Sequence, residues 1–286
     1  SKSDRIKKTR LALEEIKETK KSIGEGIKAA IKKAWEWLVN LYKTYATSIG
    51  RVEKRVEQLG AKLKATKEDS PSAGKEITNE KIASSLAHKN SVTKIDSKTI
   101  DDAAKAVDLF IEFSSSSLEN ITKSLTLSAS SDLEANQHLF EELGKDIERL
   151  NKTADDINGH LPGAYLVKVD PGQKSGFKLY KGETDPEVKV VVPTIKEALS
   201  AIAAAEVDIS DFKKFKNTFE KSEVKLKDAI GKLAEATTNT KDEAAAAKAA
   251  SKYIVSLVSQ ASKVFLASAQ TYANYAALAF YKEKGE

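Results

Sequence analysis

Residues Tyr253–Tyr281 read YIVSLVSQASKVFLASAQTYANYAALAFY and hold a single charge, Lys263. Ile254, Leu257, Val258, Ala261, Val264, Phe265, Tyr272, Tyr275 and Leu278 recur through the stretch, cushioned by Ala and Ser. No Pro or Gly interrupts the chain from Lys241 to Lys284. An unbroken helix over that span would be about 66 Å long at 1.5 Å per residue. A helix apolar nearly all round must be covered by protein or by lipid. Val264–Tyr281 is uncharged but at the lower edge of bilayer-spanning length. It also contains Ser268, Gln270, Thr271 and Asn274, so the reading is a buried helix, the staff along which the other helices lie.

Working outward, three more segments repeat apolar residues in alternating steps of four and three. Ile31, Trp35, Leu38, Tyr42, Tyr45, Ile49, Val52, Val56 and Leu59 form the first stripe. Ile100, Ala104, Val107, Ile111, Ser114, Leu118, Ile121 and Leu125 form the second. The third runs Leu133, Phe140, Leu143, Ile147, Leu150, Ala154, Ile157, Leu161, spoiled only at Asn136. A sustained 3.5-residue period is the mark of coiled-coil-like packing, and polar turns between stripes imply antiparallel helices sharing one core. Ile195, Leu199, Ile202, Phe212, Phe215, Phe219, Leu226, Ile230 and Leu233 continue the pattern, with Asp208 or Ser210 able to re-cap the helix after Ile202. Ser97 or Thr99 can cap the second stripe. Residues 4–21 also look helical, with Gly24 and Gly26 loosening the path. Trp37 lies off its stripe and is expected to pack on a neighbouring helix.

Four of the five prolines fall between residues 162 and 193. There the helical period stops, and Ala164–Asp170, Phe177–Tyr180 and Val188–Val192 read as strands. The predicted fold is therefore mainly α: an elongated antiparallel multi-helix bundle with heptad packing and a small antiparallel β insert. Residues 1–161 supply the N-terminal helices, with 60–99 as a polar, flexible connection. Residues 162–193 form the insert, and 194–286 complete the bundle.

Composition narrows function mostly by exclusion. There is no Cys, so disulfides and thiolate metal sites are ruled out. There is no Met, so Ser1 is read as the product of Met removal or of precursor cleavage. His88, His138 and His160 stand in separate segments with no second ligand at metal-binding spacing. No phosphate loop, dinucleotide fingerprint or nucleophile elbow is present, and paired acids such as Glu14-Glu15 and Asp155-Asp156 fit solvated helix faces. The expectation is a non-enzyme with no cofactor and no metal.

Charge is the strongest clue to a partner. Residues 1–64 carry 17 Lys and Arg against 8 Asp and Glu, a net +9, whereas the remainder carries 30 against 34, a net −4. Lys7, Lys8, Arg10, Lys20, Lys21, Lys28, Lys32 and Lys33 are the candidate nucleic-acid contacts. Their binding would be electrostatic, salt-sensitive and blind to sequence. A solvated helix face or an anionic lipid contact is the competing reading of the same residues.

The segment Gly26–Leu38 (GIKAAIKKAWEWL), leading into the charged heptads of Val52–Leu63 (VEKRVEQLGAKL) and an Ala/Lys/Glu/Ser-rich body, resembles the internal head proteins of giant tailed bacteriophages. The resemblance implies a structural virion protein of the capsid interior, associated with DNA and matured by a protease that cuts after Glu. Glu286 would be the processing site, although Lys284 stands where a small or aliphatic residue is usual. The implied partners are packaged DNA or other virion proteins, with self-association left open, a membrane disfavoured and passage into the host cytoplasm on ejection. Long helices around a β insert also resemble α-helical pore-forming toxins with a β tongue. Lys168, Lys178, Lys181, Glu183 and Lys189 make this insert too charged for a membrane tongue.

Overall fold

A computed structural model describes residues 1–130, 133–169, 177–235 and 241–285. Six helices account for most of the chain: α1 (Lys2–Ala65), α2 (Glu80–Leu86), α3 (Ser97–Ser130), α4 (Leu133–Ile157), α5 (Ile195–Glu235) and α6 (Lys241–Ala277). Five short strands join them: β1 (Glu76–Ile77), β2 (Lys94–Ile95), β3 (Tyr165–Lys168), β4 (Lys178–Lys181) and β5 (Lys189–Val191). Helix α6 is the staff, packed against α1, α3, α4 and α5, with β4 at Gln260 near its middle and α2 at Thr271 nearer its end. Tyr253, Leu257, Val258, Ala261, Val264, Phe265, Tyr272 and Tyr275 are all buried. Protein, not lipid, therefore covers the apolar surface, and among the described residues no helix is long and apolar enough to cross a membrane.

The staff is shorter than its sequence suggests. The α-helix stops at Ala277 and tightens into one 3-10 turn over Leu278–Phe280, after which Tyr281 is extended. Thirty-seven residues give about 55 Å of helix. The cause is tertiary. Ser70 Oγ donates to the Tyr281 carbonyl, Glu283 N donates to Ser72 Oγ, and Lys75 pairs with Glu283 at 3.2 Å. These contacts draw the last residues off the helix axis.

Helix α1 departs in the opposite sense, as one 64-residue helix that passes through Gly24 and Gly26 without a break. Its heptad stripe is buried at Trp35, Leu38, Tyr42, Ile49, Val52 and Val56. Trp35 stacks on Phe219 of α5 at 4.8 Å between ring centroids, and its Nε1 donates to Glu223. Trp37, expected to pack, is 48% exposed, because two helical steps of 100° from the buried position carry its ring to the outer face.

One helix start differs from its expected cap, and one expected re-cap is absent. Asp96 caps α3, accepting at Oδ1 from the amides of Lys98 and Thr99, rather than Ser97 or Thr99. Helix α5 begins with a reciprocal box: Glu197 N donates to Thr194 Oγ1, and Thr194 N donates to Glu197 Oε1, each at 3.1 Å. Burial works against ionisation of Glu197, but these bonds and a contact with Ser97 hold its carboxyl below the usual range. No second cap follows, since α5 runs uninterrupted through Asp208 and Ser210.

The β structure draws on more of the chain than an insert. Strands β3 and β4 form an antiparallel hairpin with Val167 opposite Leu179. β5, however, pairs antiparallel with β1 and parallel with β2, making a mixed sheet. Both partners lie within 60–99, the polar connection, where the short helix that Ile82 and Leu86 predict around Thr78–Lys89 is α2, with Ile82, Ala83 and Leu86 buried. Two-residue strands are too short to show a period of two, so the sequence could not announce them. Phe177, at the head of the hairpin's return strand, is 2% exposed and meets Phe110, Phe113 and Tyr253 edge-on. The turn between α4 and β3 needs glycine: Gly163 has φ +77°, and a Cβ there would stand 2.6 Å from the Tyr165 ring.

Candidate nucleic-acid interface

The described side chains of residues 1–15 are all exposed. Ser1 opens α1 with a capping box to Asp4, so the helix is stable to its first turn. Helix α1 runs antiparallel to α5, with Gly60 against Ile202, Glu53 paired to Lys213 at 2.7 Å and Trp35 bonded to Glu223. Glu235, the last residue of α5, lies about twelve residues past Glu223, and the same register reaches back to about residue 23 of α1. Roughly the first twenty residues of α1 therefore run on past α5 as a helical arm of about 30 Å.

Lys7, Lys8 and Arg10 are exposed on that arm, and Lys32 and Lys33 are exposed nearer the bundle. Lys20, Lys21 and Lys28 belong to the same helix, but their side chains lie outside the described residues, as does Glu286 altogether. A single unbroken helix thus strings the candidates over about 39 Å, at 1.5 Å per residue. Lys2 and Arg5 join them, although sequence spacing did not single them out. Among the described residues Lys2, Arg5 and Arg10 line only an open depression with Ile6, Thr9 and Leu13, so the chemistry open to these cations is contact with an extended anionic surface.

The arm's apolar residues behave unlike those of the bundle. Ile6, Leu11 and Leu13 are 55%, 60% and 54% exposed. Ile6 and Leu13 share a face with Lys2, Arg5, Thr9 and Arg10. The same apolar spacing that marks a buried stripe after Trp35 marks an uncovered one before it.

Sequence reading missed a group of acids between α3 and α5. Asp108 on α3 faces Asp208 and Asp211 on α5, and among the described residues no cation pairs with any of the three. Asp108 is exposed and Asp211 half-buried, while Asp208 is 3% exposed and its Oδ2 has no hydrogen-bond partner. Burial pushes the Asp208 carboxyl well above the usual aspartate range, and Asp108 and Asp211 add to the rise. Burial likewise raises Asp108, with Asp211 contributing. A second buried acid, Asp146 of α4, is raised chiefly by burial despite Ser117 and Arg149 beside it. The signal was present for Asp208, which stands four residues before Phe212 on the line of that stripe, whereas Asp146 only adjoins the stripe position Ile147.

Among the described residues the histidines assemble no site, and the side chain of His138 lies outside them. His88 is 3% exposed, with Nε2 2.8 Å from the Leu161 carbonyl, and burial lowers its pKa. His160 is exposed. Among the described residues no group of three His, Cys, Asp or Glu is placed to hold a metal ion.

No curated protein and no solved structure matches the chain. The family model described as phiKZ-like phage internal head proteins matches residues 1–279, nearly the whole length, including both the basic arm and the bundle. The chain belongs to that family and is a structural protein of the phage head interior.

Proposed function

We propose that this internal head protein lies against the packaged genome and that the projecting arm of α1 makes the contact. The observation that supports this reading is the arm itself: an exposed, capped helix dense in Lys and Arg, carried on a bundle of opposite net charge. Lys and Arg spaced along about 39 Å of helix match the length scale of one duplex turn, about 34–36 Å. Contacts would go to phosphate, so duplexes of any sequence would bind alike. Protein held to phosphate in this way would travel with the genome when the head empties.

The test is a salt titration of duplex DNA binding by the intact chain and by a variant with Lys7, Lys8 and Arg10 changed to Glu. Each phosphate that the variant no longer neutralises should flatten the slope of log K against log salt by roughly 0.9. These side chains are exposed, so the variant's circular dichroism should match the parent's. Equal binding by both proteins, or no binding by the intact chain at low salt, would remove the arm from the proposed contact.

A further inference from the structure

The arm presents a second chemical character beside its charge. Ile6 and Leu13 lie uncovered on a face whose other residues are Lys2, Arg5, Thr9 and Arg10. No acid shares that face: at 100° per residue Asp4 and Glu15 fall on the opposite side and Glu14 falls off its edge. Phosphate contact alone has no use for the apolar stripe. A protein surface that is both anionic and partly apolar would cover all of it.

The chain itself carries such a surface. Asp108 and Asp211 face each other across the seam between α3 and α5, with no cation paired to either among the described residues. Val207, one turn before Asp211, is 50% exposed beside them. Residues 1–33 hold 11 Lys and Arg against 5 Asp and Glu, whereas α3 and α5, the two walls of the seam, together hold 11 against 13, with Asp108 and Asp211 among the acids at their junction. The arm cannot reach its own seam, because it continues without a break a helix packed on α5 and α6, and an unbroken helix cannot double back on its bundle. Arm-to-arm pairing would set like charges together, which costs association.

We infer that the arm of one copy docks along the α3–α5 seam of a second copy, with Ile6 and Leu13 laid against the seam and Arg5 and Arg10 over Asp108 and Asp211. Two different surfaces meet in this contact, so it is heterologous. Each copy keeps a free arm at one end and a free seam at the other, and such contacts propagate as an open chain unless their rotation closes a ring. Two carboxylates left facing each other in the single copy gain their missing cations on assembly. This contact needs no nucleic acid and stands apart from the DNA reading.

The experiment uses the intact chain, freed of nucleic acid, in sedimentation velocity over a range of concentrations. The expected result at low salt is a mean mass that rises with concentration past the dimer, or that stops at a closed ring. Arg5→Glu with Arg10→Glu should lower the association constant by at least about tenfold, and so should Asp108→Lys with Asp211→Lys. Mixing those two variants should restore assembly, since each then offers the surface the other lacks. If the Lys variant does not fold, Asp108→Asn with Asp211→Asn replaces it and should weaken association without the rescue. Ile6→Ser with Leu13→Ser should also dissociate the chains. A monomer at every concentration, indifference to the changes at Asp108 and Asp211, or failure of the folded mixture to reassemble would overturn the inference. DNA binding by the Asp108/Asp211 variant should persist, so effects on assembly and effects on DNA binding are read separately.

Discussion

Replacing Asp208 by Asn should make the protein more stable at pH 8 and leave it nearly unchanged at pH 4. Asp208 is 3% exposed on α5, faces Asp108 and Asp211, and has an Oδ2 without a partner. Burial holds its proton more tightly in the folded chain than in the unfolded one. Between the ordinary aspartate pKa and the raised one, the native state binds more protons, so stability falls as pH climbs through that window. Below the window both states are protonated and the contribution is complete. Each unit of upward shift costs about 1.4 kcal/mol once the pH is above the raised value. Asn has the same shape, carries no charge, and can bond to Ser268, the hydroxyl that already stands beside the Asp208 carboxyl and opposes its rise. The gain expected at pH 8 grows with that upward shift, at about 1.4 kcal/mol, or roughly 3–6 °C in melting temperature for a chain of this size, for every unit of it. The assay is urea unfolding of parent and variant from pH 4 to pH 8, read as the difference between them. That subtraction matters because His88 pulls the other way: its lowered pKa makes its share of stability fade as pH drops below the usual histidine range. A difference that does not change with pH, or a variant less stable throughout, would refute the account of Asp208 as a protonated core acid.

Two further perturbations test the packing. Phe177→Ala should cost about 3–5 kcal/mol in urea unfolding, because its ring is buried against Phe110, Phe113 and Tyr253; a small cost would mean that the hairpin is an appendage. Asp96→Ala should cost about 0.5–2 kcal/mol by freeing the Lys98 and Thr99 amides at the start of α3, and a neutral result would return capping to Ser97 or Thr99.

Heptad spacing was enough to locate the bundle. Trp35 to Val56, Ile100 to Ile121 and Leu143 to Leu161 are buried or half-buried along the stripes, because period 3.5 puts those side chains on one line whatever packs there. The apolar run after Tyr253 likewise identified the central helix, since a surface apolar all round has to be enclosed. The +9 of residues 1–64 pointed to the arm without any geometry.

What the sequence could not decide depends on register between distant segments. Ile6 and Leu13 have the spacing of a core stripe, yet they are exposed because α5 ends before it reaches them. Asp208 and Asp211 look like ordinary helix acids until the parallel alignment of α3 and α5 sets Asp108 beside them. Strands β1 and β2 exist because β5 passes between them, not because two residues prefer to be extended. The end of α6 is set by Ser70 and Lys75 reaching across from another part of the chain. Local periodicity determines which face of a helix is apolar; whether that face is covered, and what stands opposite a buried charge, is a property of helix lengths and alignments that only the assembled fold determines.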